Sequence, residues 1–263
     1  MTTYPYPENR AAAPPPALVV VAHGSRDPRA LRTVRQLLDR VRAVRPGLPV
    51  HLGHIELNAP LLPDTLAGLD AHGTRAAVLV PLLFGRGHHV KRDIPELAAG
   101  ARLHTRVAAP LGPHPLLVDA LHARLTEAGW RTPADAAARR ASGVVLAAAG
   151  SRDPDARADI VRTADRLAAR LGVPVVPAYA SAAAPTVPDA VRALAARGRH
   201  RVAVASCFTA PGRFATECAA AAPGTVSAPL GTHPALARLL LHRYDRALRT
   251  PATTTAPAAL APA

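Results

Sequence analysis

The strongest constraint on the fold is internal repetition, because two similar segments of one chain are expected to adopt similar structures. Three segments recur in the same order: GSRDP at 24–28 and 150–154, APLLPD at 59–64 with APTVPD at 184–189, and APLGPHP at 109–115 with APLGTHP at 228–234. The offsets between partners are 126, 125 and 119 residues, a drift that short loop deletions explain. The sequence therefore predicts a tandem duplication of a unit of about 110 residues.

Each copy alternates short apolar runs with amphipathic stretches. Residues 17–22 (ALVVVA) are rich in β-branched residues, which is typical of a strand buried on both faces of a parallel sheet. From Leu31 to Val44 apolar residues recur at three- and four-residue steps, so a helix is predicted over 28–45, with Pro28 in its first turn. The other predicted elements are strands at 49–56, 76–83, 105–108, 143–148, 173–179, 200–206 and near 225, and helices at 61–72, 92–101, 114–128, 154–171, 186–197 and 233–248.

This alternation predicts an α/β protein built from two tandem, doubly wound parallel-sheet domains. We place the N-terminal domain at 17–130 and the C-terminal domain at 143–249, joined by a linker at 131–142. The two ends, 1–16 and 250–263, are rich in Pro, Ala and Thr, and we expect both to be disordered.

Composition argues against several classes of protein. No apolar run of about 18 residues is present, and the N-terminus lacks the apolar core of a signal peptide, so we expect a cytoplasmic protein without a membrane partner. Cys207 and Cys218 form no C-x-x-C pair, and we expect both to be free thiols.

The net charge of +14 raises the question of nucleic-acid binding. The arginines are dispersed, however, and aromatic residues make up only 3% of the chain, whereas single-strand binders stack bases on aromatic platforms. We therefore expect no nucleic-acid partner. A basic surface can instead concentrate a polyanionic small molecule.

The chemically interesting residues follow the predicted strands. Ligands of open parallel sheets bind beyond the carboxyl ends of the strands. His23 follows the first predicted strand, Glu56 ends the second, and the segment FGRGHH at 84–89 follows the third. Neutral imidazole suits Fe, Co, Ni, Cu and Zn ions, and a carboxylate completes such a ligand set or accepts protons. The sequence predicts an open metal site at this edge.

The second copy lacks these candidate ligands. Ala149 stands opposite His23, Ser181 opposite Glu56, and Arg213-Phe214 opposite His88-His89. A site used once, between the two copies, predicts this asymmetry, whereas a structural role for the first histidine would predict its retention.

Other matched residues are kept in both copies. His114 and His233 occupy equivalent G-x-H-P turns, which favours a role at a turn or helix start. For GSRDP we expect Gly to make the tight turn, Ser or Asp to cap the exposed helix amides, and Pro to start the helix.

Four segments together resemble a known family, the class II tetrapyrrole chelatases of the CbiX/SirB type, which insert a divalent metal into sirohydrochlorin. The matching segments are AHGSRDP, ELNAP, PLLFGRGHHVKRDIP and APLGPHP, and they cover most of residues 18–125 in the right order and spacing. The duplicated second half resembles the long, two-domain members of the family.

The resemblance implies two flavodoxin-like domains facing a cleft, in a monomer. It implies that His23 and His89 are the metal-binding, catalytic pair, since the family pattern H-V-x-x-D-I-P selects His89, and that Glu56 is a catalytic residue near the metal. Fe²⁺ or Co²⁺ is then a substrate, sirohydrochlorin is the partner, and no organic cofactor is expected.

Metal insertion fits these residue types. The macrocycle must lose two pyrrole protons while the ion sheds water, and imidazole, with an ordinary pKa of about 6.5, can serve as base or ligand near neutral pH. Sirohydrochlorin is a polycarboxylate. The residues expected to contact it are Ser25, Arg26, Arg86, His88 and Lys91, with Arg92 a further candidate.

Alternative functions use the same cleft. A metal or tetrapyrrole carrier would need the same residues without turnover. A hydrolytic or phosphate-binding α/β enzyme would use His23-Gly24-Ser25 as part of a nucleophile site, but the chain has neither a G-x-S-x-G elbow nor a G-x-x-x-x-G-K-[ST] loop. Iron and cobalt accept the same ligands, so siroheme and cobalamin pathways both remain open.

Overall fold

The computed structural model describes residues 14–250. The disorder expected for the two ends therefore lies, for 1–13 and 251–263, outside the described residues. Pro16 is held in place, since Tyr244 Oη donates a hydrogen bond to its carbonyl oxygen at 2.6 Å.

The N-terminal half begins with strand β1 and ends with helix α4. Its elements are β1 (Ala17–Ala22), α1 (Pro28–Val44), β2 (Val50–His54), α2 (Leu62–Ala71), β3 (Ala76–Pro81), a π-helical turn (His89–Asp93), α3 (Ile94–Ala99), β4 (His104–Val107) and α4 (Pro115–Glu127). The C-terminal half comprises α5 (Ala136–Ala141), β5 (Ser142–Ala148), α6 (Pro154–Leu171), β6 (Val175–Tyr179), α7 (Val187–Ala195), β7 (Arg201–Ser206), α8 (Arg213–Ala220) and α9 (Pro234–Arg249).

Two parallel sheets confirm the predicted α/β class. The first has the order β2-β1-β3-β4 and the second the order β6-β5-β7. In both, the first strand of the half lies at the centre, as crossovers on both sides require. The carboxyl ends of all these strands therefore face in one direction within each sheet.

The prediction of a full strand near residue 225 is wrong. Only a single bridge forms between Val204 and Val226. Pro223 lacks a backbone N–H, and Gly224 favours a turn, so regular pairing begins and ends within two residues. Two helices also went unpredicted: α5, inside the expected linker, and α8.

The GSRDP turns have the structure that the sequence predicts. Gly24 and Gly150 have φ angles of +106° and +94°, and a Cβ on either would overlap a carbonyl oxygen of the next crossover. Asp27 and Asp153 accept hydrogen bonds from the first helical amides, at 2.9 Å in both cases. Both helices then start with proline, so the repeated motif is a strand-to-helix turn.

Helices α1, α4, α6 and α9 form a layer between the two sheets and share one apolar core. The last helix of each half packs on the other half: α9 against α1 and β3, and α4 against α6 and β7. Each sheet also has its own outer core, around Val19 in the first and Val145 in the second. This exchange of terminal helices fixes the two sheet edges relative to one another. The domain boundaries at 130 and 143 stay a prediction.

Within residues 14–250, none of the helices combines the length and the apolar character needed to cross a membrane.

Candidate functional site

A cleft of about 790 Å³ lies at the carboxyl ends of both sheets, between the two halves. His23, Glu56 and His89 line it from the N-terminal half, and Ala149 and Ser181 line it from the other half. The candidate ligands of the N-terminal half and the residues at the matched positions of the C-terminal half therefore face the same cleft.

The structure brings the three predicted catalytic residues together. The imidazole rings of His23 and His89 meet edge to face, with centroids 4.8 Å apart at 79°. His23 Nε2 lies 3.2 Å from Glu56 Oε1, and these side chains are 40% and 54% exposed. Among residues 14–250, no group of three or more His, Cys, Asp or Glu side chains is already arranged to hold a metal ion.

The turn after β1 positions His23. Its carbonyl oxygen accepts a hydrogen bond from Glu56 N at 3.0 Å, which ties the ends of β1 and β2 together. Ser25 N donates to Asn58 Oδ1 at 2.7 Å, and Ser25 Oγ accepts from Asp27 N at 3.1 Å. Ser25 thus has a structural role in the turn and also lines the cleft.

Asp93 is a site residue to which sequence reasoning gave no role. Its Oδ2 lies 2.5 Å from His89 Nδ1, and its Oδ1 lies 3.2 Å from His88 Nε2. A carboxylate that accepts the Nδ1 proton of His89 leaves Nε2 as the lone-pair nitrogen, the arrangement typical of metal-bound histidine. The signal was present in the sequence, because residues four apart share one helix face.

Two predicted substrate contacts are occupied by carboxylates of the other half. Arg86 Nε and Nη2 each lie 3.0 Å from Asp159, and Lys91 Nζ lies 2.8 Å from both Asp153 and Asp155. The hydrogen bond to Asp153, followed by the one to Asp155, raises the pKa of Lys91 above its ordinary value. These ion pairs give both cations a structural role, and substrate contact by either stays a prediction.

Not every predicted substrate contact lines the cleft. Arg26 and His88 line it, whereas Arg86, Lys91 and Arg92 are not part of the cleft wall. Arg157 and Arg213, from the C-terminal half, line it as well. Sequence reasoning missed these two as site residues, although Arg213 occupies the position that matches His88.

The paired histidines outside the cleft have the structural role expected of them. His114 Nδ1 accepts from Leu116 N at 3.1 Å, and His233 Nδ1 accepts from Ala235 N at 3.2 Å, so each caps a terminal helix. Burial, followed by the charge of Arg243, lowers the pKa of His114 to about 4. A neutral ring is what this acceptor role needs.

Both cysteines are free, as predicted, and both are buried. Burial raises the pKa of the Cys207 thiol, which lines the cleft, to about 12. A thiol with so high a pKa stays protonated, so it contributes apolar wall rather than a thiolate ligand.

The fold and the cleft define a two-sheet α/β protein with a histidine-lined site between duplicated halves. The sequence profile of the CbiX family matches residues 17–128 and 143–247. The chain therefore belongs to the CbiX family.

Solved structures share this fold. SirB from Bacillus subtilis with Fe³⁺ superposes with a TM-score of 0.72 at 23% identity, covering 88% of this chain and 94% of that one. The sirohydrochlorin chelatase SirB from Bacillus subtilis subspecies spizizenii in complex with cobalt gives 0.73 at 22% identity, covering 89% and 96%.

A curated relative, the sirohydrochlorin cobaltochelatase of Methanococcus aeolicus, is 33% identical over 81 residues, or 31% of this chain. The match spans 57% of the length of that relative.

Proposed function

We propose that this protein is a sirohydrochlorin chelatase that inserts a divalent metal ion, Fe²⁺ or Co²⁺, into the macrocycle. The observation that carries the proposal is the pair of imidazoles, 4.8 Å apart between ring centroids, in a cleft of about 790 Å³. The name of the Methanococcus aeolicus relative and the metals bound to SirB support the same reaction. Membership of the CbiX family supports it further.

In this proposal the imidazoles of His23 and His89 hold the incoming ion, and His89 does so through Nε2. Both side chains are partly exposed, so the ion stays open on the side that faces the macrocycle. Two neutral nitrogen ligands bind a divalent ion weakly enough to release it to four pyrrole nitrogens. Asp93 keeps Nε2 of His89 unprotonated by accepting the proton on Nδ1.

Glu56 has a different task in the same step. The macrocycle must give up two protons as the metal enters, and these need an acceptor near the ion. Glu56 Oε1 lies 3.2 Å from His23 Nε2 and is open to solvent, so it can accept a proton and pass it to water. The imidazole that the departing metal leaves behind can take up the other.

The carboxylates of the macrocycle need cationic partners. We assign this role to Arg26, Arg157 and Arg213, which line the cleft, and to Ser25 and His88 as neutral or ionisable donors. The guanidinium of Arg213 lies 4.8 Å from the centroid of the Phe214 ring, and its Nε lies 3.5 Å from Glu217 Oε1. The ring and Glu217 therefore orient the guanidinium, and its other nitrogens can meet a carboxylate of the macrocycle.

We also propose that the protein acts as a monomer in the cytoplasm and needs no organic cofactor. One chain supplies both walls of the cleft, which supports a monomer. Two buried free thiols are typical of proteins from reducing compartments, which supports a cytoplasmic location.

The test follows the absorbance change of sirohydrochlorin on metallation with Co²⁺ or Fe²⁺ under anaerobic conditions. We expect a rate above the protein-free control, and losses of about 100-fold or more for His23→Ala and His89→Ala. His233→Asn, which keeps a capping side chain far from the cleft, should retain the activity. A wild-type rate equal to the protein-free control would refute the enzyme and, if the macrocycle still binds, favour a carrier.

A further inference from the structure

The segment that carries His88 and His89, residues 84–93, docks on the start of α6 in the other half of the chain; we call it the metal loop. Asp159 accepts three hydrogen bonds from Arg86 at 3.0 Å, from its backbone N, Nε and Nη2. Backbone and side chain of one loop residue are thus fixed by one carboxylate.

Close backbone packing surrounds this contact on both sides. A Cβ added to Gly85 would lie 3.1 Å from the carbonyl oxygen of Ala156, and one added to Gly87 would lie 3.4 Å from Ser151 Oγ. At Gly85 the loop therefore approaches the backbone of α6 more closely than a side chain would normally fit, whereas at Gly87 the contact with Ser151 is an ordinary van der Waals distance. The first glycine of G-R-G is thus explained without a phosphate ligand.

Asp159 is the most buried carboxylate of the contact. Its side chain is 1% exposed, and it also accepts from Arg162 at 2.6 Å. Burial is the largest single influence and acts to raise its pKa, but the hydrogen bonds from Arg86 and Arg162 together hold that pKa below its ordinary value. A buried carboxylate holds its two charged partners in fixed positions, because leaving the buried charge unpaired would destabilise the folded state.

The other copy lacks most of the charges of this contact, although Asp27 matches Asp153. At the matched positions Thr33 replaces Asp159, Arg29 replaces Asp155, Pro211 replaces Arg86, and Thr216 replaces Lys91. The general arrangement is nevertheless repeated, since a Cβ on Gly212 would lie 3.7 Å from Ser25 Oγ. The ion pair between Arg86 and Asp159 therefore occurs only where the docked loop carries histidines.

We infer that Asp159 is a positioning residue for metal binding: through Arg86 it sets the place of His89 relative to His23. Gly87 O accepts from Val90 N at 3.1 Å and from Lys91 N at 3.0 Å, so a shift of the loop at Arg86 moves the turn that carries His89. The C-terminal half is then the support that holds one metal ligand, in addition to being a wall of the cleft. The choice of metal ligands rests on the proposed function.

The test compares Asp159→Asn with a matched control. Asp245→Asn removes the charge from another bidentate ion pair between the halves, with Arg45 at 2.7 and 2.8 Å, outside the cleft wall. We expect Asp159→Asn to raise the Kd for Co²⁺ about tenfold, and to raise KM for the metal while leaving KM for the tetrapyrrole nearly unchanged. Asp245→Asn should change neither constant, and near-ultraviolet circular dichroism reports whether each variant is folded.

A second variant covers the possibility that Asp159→Asn fails to fold. Lys91→Met removes partly exposed ion pairs and keeps the apolar stem, and we expect a smaller rise in the Kd for Co²⁺, about threefold. An unchanged Kd in the folded variants would overturn the inference. So would a raised KM for the tetrapyrrole alone in Lys91→Met, because that result assigns Lys91 to the substrate.

Failure of the inference and failure of the proposed function give different results. If the wild type binds Co²⁺ but does not accelerate metallation, the function is wrong, and the Kd of the variants still decides the inference. If the wild type accelerates metallation and Asp159→Asn binds Co²⁺ normally, only the inference is wrong. A wild type that binds no Co²⁺ refutes the inference outright, since no bound ion is then positioned.

Discussion

Acid should destabilise this protein through His114, the residue that caps α4. Its Nδ1 accepts a hydrogen bond from Leu116 N at 3.1 Å, and this requires an unprotonated nitrogen. Burial first, then Arg243 and His242, lower the pKa of His114 from 6.5 to about 4. The His242 ring, 4.6 Å away between centroids, packs against it. Protonation of His114 would thus break the cap and add a cation to a cationic cluster.

The direction and size of the effect follow from linkage. The pKa in the folded state lies below that of the unfolded chain, so the unfolded chain takes up the proton first as the pH falls. The contribution to stability is therefore complete above pH 6.5 and is lost as the pH falls from 6.5 to about 4. This interval corresponds to about 3 kcal/mol, and because the ring is only partly buried, solvent screening reduces the expected loss to about 1–2 kcal/mol.

Urea denaturation of the wild type and of His114→Asn at about pH 7.5 and about pH 5 measures this contribution. Asparagine is a strong helix cap without a titrating group in this range. Since a pH of about 5 lies above the folded-state pKa of about 4, only part of the loss is reached, and the variant should lose about 1 kcal/mol less than the wild type on acidification. The exposed His200→Asn is the matched control and should behave like the wild type. Equal losses in the wild type and in His114→Asn would refute the reasoning.

Three further predictions concern the cleft. Gly24→Ala should lower the free energy of unfolding by about 3 kcal/mol or more, because positive-φ strain adds to the collision with a carbonyl oxygen. Gly47→Ala, in open space at φ +83°, should lower it by only about 1 kcal/mol. Thermal or urea denaturation measures both, and equal losses would show that the collision does not occur. Asp93→Ala should raise the Kd for Co²⁺ about tenfold in a titration, and an unchanged Kd would remove Asp93 from the site. Arg213→Gln should raise KM for the tetrapyrrole about tenfold with kcat nearly unchanged. The exposed Arg197→Gln is the control and should leave KM unchanged. Similar KM values in the two variants would show that Arg213 does not contact the substrate.

The α/β class was predictable because the evidence for it is local. An apolar run such as 17–22 and a three- and four-residue period such as that of 28–45 each describe one element, and their alternation limits the connections to right-handed crossovers. The exchange of α4 and α9 between the halves was not predictable in this way. An amphipathic helix shows in its sequence that one face is buried, but not which sheet buries it.

The same distinction between local and long-range signals applies to the candidate site. His23, Glu56 and His89 follow consecutive strands, so the sheet itself brings them to one edge. Asp93 could have been found from its four-residue spacing to His89. The contact between Arg86 and Asp159 could not, because 73 residues separate the partners and no periodic pattern connects a loop of one copy with a helix of the other.

The duplication explains why such a long-range contact can be stable. Helix α4, from the half that carries the histidines, packs against α6, from the half that carries Asp159. The shared core therefore sets the distance between the metal loop and its carboxylate before any ion binds. Two differences within the C-terminal copy, Ala149 where the other copy has His23 and Asp159 where it has Thr33, then complement the histidines of the N-terminal copy. The copy without ligands supplies the charge that the copy with ligands requires, so the site belongs to the chain as a whole rather than to either half.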